Sequence, residues 1–148
     1  MQNNLCFSCM GQLPSPDAKC PHCGHDNKNT SNGPGMLPGG MLAGKYVTGK
    51  LLGRGGFGAT YIGYDLLMQR TVAIKEYLPP QLVTRGNNVS LLTVITGGEE
   101  AFAKGREQAL TEGRMAAGLG HVPGVVQIFD VISENNTIYI IMEYIKGK

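Results

Sequence analysis

Four cysteines crowd the first 23 residues as two pairs, Cys6-x-x-Cys9 and Cys20-x-x-Cys23, separated by ten residues. Each pair can wrap one metal ion in a tight knuckle, and two knuckles complete a tetrahedral S4 site, the geometry Zn(II) prefers. Such a ligand set keeps no open coordination position, so the chemistry it predicts is structural. A segment too small to hold an apolar core would then draw its folding energy from the metal. Free thiols or two disulfides are the competing readings, and the spacing favours zinc, with iron as a minor option. His22 and His25 stand beside the second pair, but four thiolates already satisfy the ion, so both are read as bystanders. Gly11 and Gly24 follow the knuckles and suit a backbone that turns its amides toward sulfur.

A second concentration of chemistry begins at LLGRGGFGATYIGY, residues 51–64, where Gly53, Gly55 and Gly58 spell G-x-G-x-x-G. Alone the pattern is weak, because glycine-rich turns are common. A dinucleotide site of this type needs a helix after the glycines. Here they are followed by the β-type run ATYIGY, so they join two antiparallel strands. Bare backbone in such a hairpin can approach a triphosphate closely and offer it N–H groups; a glycine-rich hairpin without a ligand is the bland alternative. Downstream, Thr71-Val72-Ala73-Ile74-Lys75 reads as a strand with Ala73 and Lys75 on one face. Ala73 leaves space for a flat base, and Lys75, about 6 to 7 Å farther along, can place its ammonium on phosphates. For an arbitrary lysine the plain reading is a solvated residue at a strand end.

The elements that must position these groups follow from short runs rich in β-branched and aromatic residues and bounded by turn formers. They predict five strands, at 45–52, 59–64, 71–77, 125–132 and 137–144. Asn135-Asn136 between the last two suits a tight hairpin, since Asn tolerates positive φ. One long helix is predicted over 99–117, with Phe102, Ala103, Ala109, Leu110, Ala116 and Ala117 at helical spacing and Arg106 interrupting the arc. Glu99 and Glu100 favour its N-terminus electrostatically. The stretch between the third strand and the helix is too long for a plain connection, and Gly86-Asn87-Asn88 suits a small extra hairpin. The expected organisation is a zinc ribbon over 1–26, an Asn/Gly/Pro-rich flexible linker over 27–44, and an α+β lobe over 45–148 with a five-stranded antiparallel sheet and one long helix.

With 148 residues the chain has room for one modest domain and a small appendage. The formal net charge is +2 and the basic residues are scattered, so there is no clear nucleic-acid signal. No apolar run reaches membrane-spanning length, and MQNNLCFSCM lacks the pattern of a secretory signal. The expected location is the cytoplasm, where the cysteines would be reduced thiols or metal ligands.

LGRGGFGATY, then VAIK, then a helix carrying a glutamate, then IIMEYIKG resembles the N-terminal lobe of protein kinases over about two thirds of the chain. VAIKEYLPPQLVTR and the preceding ribbon look more like bacterial Ser/Thr kinases of the eukaryotic type than like animal kinases. The resemblance implies ATP as ligand, with Mg in the complete enzyme, and a Lys75–glutamate ion pair that holds the ammonium on the phosphates. Helical phase does not choose between Glu107 and Glu112; the family's spacing implies Glu112, with Glu107 as the alternative. It further implies that Leu52, Gly53, Arg54, Gly55, Gly56, Phe57, Gly58 and Thr60 cover the nucleotide. Leu52, Ala73 and Met142 would line the adenine pocket, Met142 as gatekeeper, and backbone atoms of Glu143 and Ile145 would bond the base edge. Thr60 stands where the family commonly has valine, and Ala116 where a larger apolar residue is usual; both imply a looser pocket.

No H-R-D-x-x-x-x-N and no D-F-G occur in the 148 residues, so the family's proton acceptor and magnesium ligands are absent. The expectation is an ATP-binding lobe truncated just after the hinge, inactive by itself, whose complete enzyme would act on protein hydroxyls. The alternative is a non-catalytic module, a ribbon and nucleotide-binding scaffold. An isolated lobe would expose apolar surface and tend to self-associate. The sequence identifies no partner for the ribbon.

Overall fold

The computed structural model describes residues 4–32, 35–54, 58–86, 90–119, 124 and 126–145. Strands β1 (Met41–Leu42), β2 (Tyr46–Arg54), β3 (Gly58–Asp65) and β4 (Arg70–Tyr77) run in sequence. The short pair β5 (Val83–Thr84) and β6 (Thr93–Val94), helix α1 (Glu99–Gly118), β7 (Ile128–Glu134) and β8 (Thr137–Glu143) follow. The main sheet is antiparallel with order β1-β2-β3-β4-β8-β7, and β5 and β6 form a sheet of their own. The five expected strands and the helix are present, with the two-residue β1 added at one edge. The extra hairpin before the helix is present as β5–β6; Asn87 and Asn88 lie outside the described residues.

The sheet curls until its two edges meet. The Tyr46 hydroxyl donates to Asp130 Oδ2 at 3.0 Å, and the Ala43 N–H donates to Glu134 Oε1 at 2.9 Å. The Arg70 guanidinium lies 3.7 Å from the Phe129 ring centroid. Strand alternation divides the residues between the inside and outside of this curl. Tyr61, Ile74 and Ile141 lie opposite one another across three strands and are fully buried inside, with Val72, Ala59 and Tyr139 beside them. Asn135 and Asn136 take φ of 55° and 65°, the left-handed pair that a two-residue turn matched to strand twist requires.

A charged pair sits within that core. Glu76 follows Lys75 and so points to the opposite face, where its side chain is 0% exposed. Arg85, from the β5–β6 insertion, reaches in with 1% exposure and meets it at 2.7 Å (Nη2–Oε2) and 3.2 Å (Nη1–Oε1). The Tyr61 hydroxyl donates to Glu76 Oε1 at 2.6 Å and accepts the Met36 N–H at 2.8 Å. These bonds tie the insertion and the 35–42 segment to the sheet.

Of the stretch 27–44, for which composition predicts a flexible linker, Asn27 bonds the ribbon at Phe7 and Leu5, and the described part from Asn32 onward packs against the sheet. Met36 is 1% exposed and Asn32 5%. Asn32 bonds main-chain groups of Met36, Gly49 and Leu51, and Met41 and Leu42 pair with β2. Composition misses this because Asn side chains that satisfy distant backbone leave no hydrophobic periodicity.

Helix α1 packs on the outer face of β4, β8 and β7. Phe102 meets the Tyr77 ring at 5.2 Å between centroids. Gly105 and Gly113 give the close approach: a Cβ at Gly105 would collide with the Tyr77 hydroxyl, and one at Gly113 would stand 3.2 Å from Ile140 Cδ1. Arg106, which interrupts the apolar arc, donates to Asn136 Oδ1 at 2.7 Å and so secures the β7–β8 turn.

Candidate functional site

The four cysteines converge. Their Sγ atoms all lie within 4.8 Å of one another, with Cys6–Cys23 at 3.5 Å and Cys9–Cys20 at 3.6 Å. Zn–S bonds of about 2.3 Å in a tetrahedron demand sulfur–sulfur edges of about 3.8 Å, so the cluster fits Zn(II). Backbone N–H groups of Ser8, Gly11 and His22 donate to Cys6, Cys9 and Cys20 at 3.3 to 3.4 Å, the contacts that stabilise bound thiolate. Without a cation the thiols separate: burial pushes Cys9 up to about 12 and raises Cys6. Burial also works against the Cys20 thiolate, but the Cys23 and His22 amides and the neighbouring thiols outweigh it and bring Cys20 down to about 6. His25 bonds Thr30 Oγ1 and is not in the cluster. The first knuckle departs from expectation in one respect: Met10, with φ 63°, takes the left-handed conformation that Gly24, φ 80°, takes in the second. Gly11 is needed for space, since a Cβ there would stand 2.7 Å from His22 Cδ2.

The second constellation is set by register on the outer face of the sheet. Thr60 pairs with Lys75 and Lys75 with Ile140; Ile62 pairs with Ala73 and Ala73 with Met142. Residues opposite one another share a face, so Thr60, Ala73, Lys75 and Met142 form one patch. Gly53 pairs with Thr60 at its border, beside Leu52, which is 43% exposed. Gly58 overhangs the lysine: a Cβ there would lie 3.6 Å from Lys75 Cε and 2.9 Å from the Glu76 carbonyl oxygen. Gly55, Gly56 and Phe57 lie outside the described residues. Beyond Met142, the Glu143 N–H donates to the Gln127 carbonyl at 2.9 Å, and Ile145 is 46% exposed.

Lys75 and Glu112 face the same cavity of about 620 Å³ between α1 and the sheet, whose wall continues through Gln108, Ile140 and Met142. Glu107 does not line it. The expected ion pair is not formed: among the described residues no salt bridge joins Lys75 to Glu112, whose Oε2 instead accepts from Gln108 Nε2 at 3.3 Å. The reason is the helix face toward the cavity. Ala109, Gly113 and Ala116 carry too little side chain to fill the gap, and both charged groups are exposed, so water competes with the pair.

The sequence reading missed the docking of the ribbon. Leu5 and Met10 form one buried cluster with Val47 and Ile62, with Tyr64, Leu66 and Tyr144 packed against it. Val47 pairs with Tyr64, and Ile62 with Ala73, so this cluster occupies the same outer face as the Ala73–Lys75 patch. Glu76–Arg85 was missed too, although strand alternation after Lys75 puts a charge at a core position, which is itself the signal of a buried partner.

Comparison with known proteins agrees with this architecture. No family model matches the chain. Serine/threonine-protein kinase B of Synechocystis sp. is 34% identical over 107 residues, 72% of this chain and 16% of the relative. PrkC of Bacillus subtilis is 29% identical over 76% of this chain and 14% of the relative. PknD of Protochlamydia amoebophila is 28% identical over 97% of this chain and 12% of the relative. The solved PpkA-294 apo form superposes with a TM-score of 0.68 at 30% identity, covering 75% of this chain and 39% of that one. The chain thus spans less than a fifth of the length of these curated relatives. Over most of its own length it is a relative of bacterial Ser/Thr protein kinases, with a curled antiparallel sheet and one long helix among the described residues, like a kinase N-terminal lobe, and a four-cysteine cluster before it.

Proposed function

We propose that this chain is the ATP-binding lobe of a bacterial Ser/Thr protein kinase with a zinc ribbon docked on it. The observation that carries the reading is the register that gathers Thr60, Ala73, Lys75 and Met142 on one face, with Gly58 beside Lys75 and so close to the Glu76 carbonyl oxygen that a Cβ there would stand 2.9 Å from it. Ala73 and Met142 would bound the adenine, and Leu52, Gly53 and Arg54 would approach from the rim. Lys75 would meet the phosphates, and the Glu143 and Ile145 backbone would meet the base edge. Glu112, on the same cavity as Lys75, is the partner the ammonium would gain as the helix closes. Bound ATP supplies the transferable phosphoryl group; this chain's residues bind and orient it. Transfer to a protein hydroxyl needs a proton acceptor and magnesium ligands of the kind that H-R-D and D-F-G motifs supply in protein kinases, and these 148 residues contain neither motif. Cys6, Cys9, Cys20 and Cys23 would hold structural zinc, which suits the reducing cytoplasm.

The test is MgATP titration followed by backbone NMR. Signals of Gly58, Ala73, Lys75 and Ile145 are expected to shift at millimolar nucleotide, and Lys75→Met is expected to abolish the shifts. Spectra that do not change at that concentration refute nucleotide binding and favour a scaffold role.

A further inference from the structure

The ribbon touches the lobe at the place where β2 leaves its ladder. Pairing between β2 and β3 shifts register between Thr48 and Leu51 and again between Leu51 and Gly53. A bulge strands backbone groups that then need partners. Here the partners come from outside the sheet. The Lys50 N–H donates to the Phe7 carbonyl at 2.8 Å, Asn32 Nδ2 donates to the Gly49 carbonyl at 3.0 Å, and the Leu51 N–H donates to Asn32 Oδ1 at 2.8 Å. Asn32 is 5% exposed and also donates to the Met36 carbonyl, so its whole amide is spent on main chain.

Phe7 is held from the metal side. It lies inside the first knuckle, between Cys6 and Cys9, and its N–H donates to Asn27 Oδ1 at 2.8 Å. Gly49 lets the ribbon come close: a Cβ there would stand 2.5 Å from Met10 Cε and 2.6 Å from the Phe7 carbonyl oxygen. Pairing resumes immediately after the second shift at Gly53 and Arg54, the described stem of the glycine-rich segment, paired with Thr60 and Ala59.

We propose that the ribbon and Asn32 are positioning elements for this stem, so that metal held by the four cysteines strengthens nucleotide binding on the Ala73–Lys75 face. The affinity part rests on the nucleotide reading above; the placement of the stem does not. The route is contiguous: metal fixes the knuckle, the knuckle fixes the Phe7 carbonyl and Met10, and these with Asn32 fix the β2 backbone at Gly49–Leu51. Coupling of this kind is reciprocal, so nucleotide would also slow metal loss.

The experiment compares the full chain loaded with zinc, the chain stripped by a chelator under reducing conditions, and zinc-loaded Asn32→Ala. Amide hydrogen exchange is read over 46–54, with 137–143 in β8 as internal reference, and MgATP affinity is measured in parallel. The expected result in both the stripped chain and Asn32→Ala is exchange over 46–54 faster by about tenfold, unchanged exchange in β8, and nucleotide binding about tenfold weaker. Equal exchange over 46–54 in all three proteins overturns the proposal whether or not nucleotide binds. Exchange that rises equally in β8 also overturns it, since that marks general loss of stability. Faster exchange at the stem with unchanged affinity, while Lys75→Met abolishes binding, overturns the coupling and leaves the nucleotide reading standing. A loaded chain that binds no nucleotide overturns that reading and the affinity part together, and the exchange data then decide the stem alone.

Discussion

Replacing Arg85 by methionine removes the partner of a carboxylate sealed inside the curled sheet. Glu76 and Arg85 have side-chain exposures of 0% and 1% and share contacts of 2.7 and 3.2 Å. An isolated buried carboxylate is costly, and breaking such a pair from one side typically costs about 3–5 kcal/mol. The Tyr61 hydroxyl stays 2.6 Å from Glu76 and compensates partly, and methionine fills most of the vacated volume, which places the expected loss at about 3 kcal/mol. Against a total stability of about 5–15 kcal/mol this is a large fraction. The double variant Glu76→Leu/Arg85→Met removes both charges and should recover all but about 1–2 kcal/mol, the cost of a Tyr61 hydroxyl without its acceptor. Urea unfolding followed by circular dichroism, with zinc present throughout, measures both. A loss below about 1 kcal/mol for Arg85→Met, the range of an exposed pair, would refute the sealed environment. Additive losses in the double variant would refute the coupling.

Gly105→Ala gains helix propensity but drives a methyl into the Tyr77 hydroxyl, so a net loss of about 1–3 kcal/mol in thermal unfolding is expected, eased when combined with Tyr77→Phe. Lys75→Met, at an exposed position with no salt bridge among the described residues, should change stability by under about 0.5 kcal/mol while eliminating nucleotide-induced NMR shifts; a collapsed fold would contradict this. Metal analysis should find one zinc per chain, lost in Cys20→Ser. At pH 7.5 the metal-free Cys9, raised to about 12, holds its proton, so zinc uptake must release protons into a weakly buffered solution, and uptake without release would count against thiolate ligation. Arg106→Ala should speed amide exchange at the β7–β8 turn and cost about 0.5–1 kcal/mol, because its bond to Asn136 is exposed; unchanged exchange there would argue against it.

Features that repeat over short distances were legible in the sequence. The C-x-x-C pairs announced the thiol cluster, period-two runs announced the strands, and Asn135-Asn136 announced the hairpin, since each depends on residues within a few positions of one another. Ala73 and Lys75 could be placed on one face from alternation alone. Helical phase left Glu107 and Glu112 equivalent, because it gives angles around the helix but not which side meets the sheet; of the two, only Glu112 lines the cavity with Lys75.

The sequence by itself determined which residues could hold metal and which strand carries the lysine, because both are matters of local spacing and backbone period. Tertiary structure alone decided that residues 35–42 cover the sheet, that Glu76 finds Arg85, and that Phe7 and Asn32 take up the backbone groups freed at the β2 bulge. The physical reason is range: these contacts satisfy buried polar groups between segments far apart in the chain, and a hydrogen bond between distant segments leaves no period in either one.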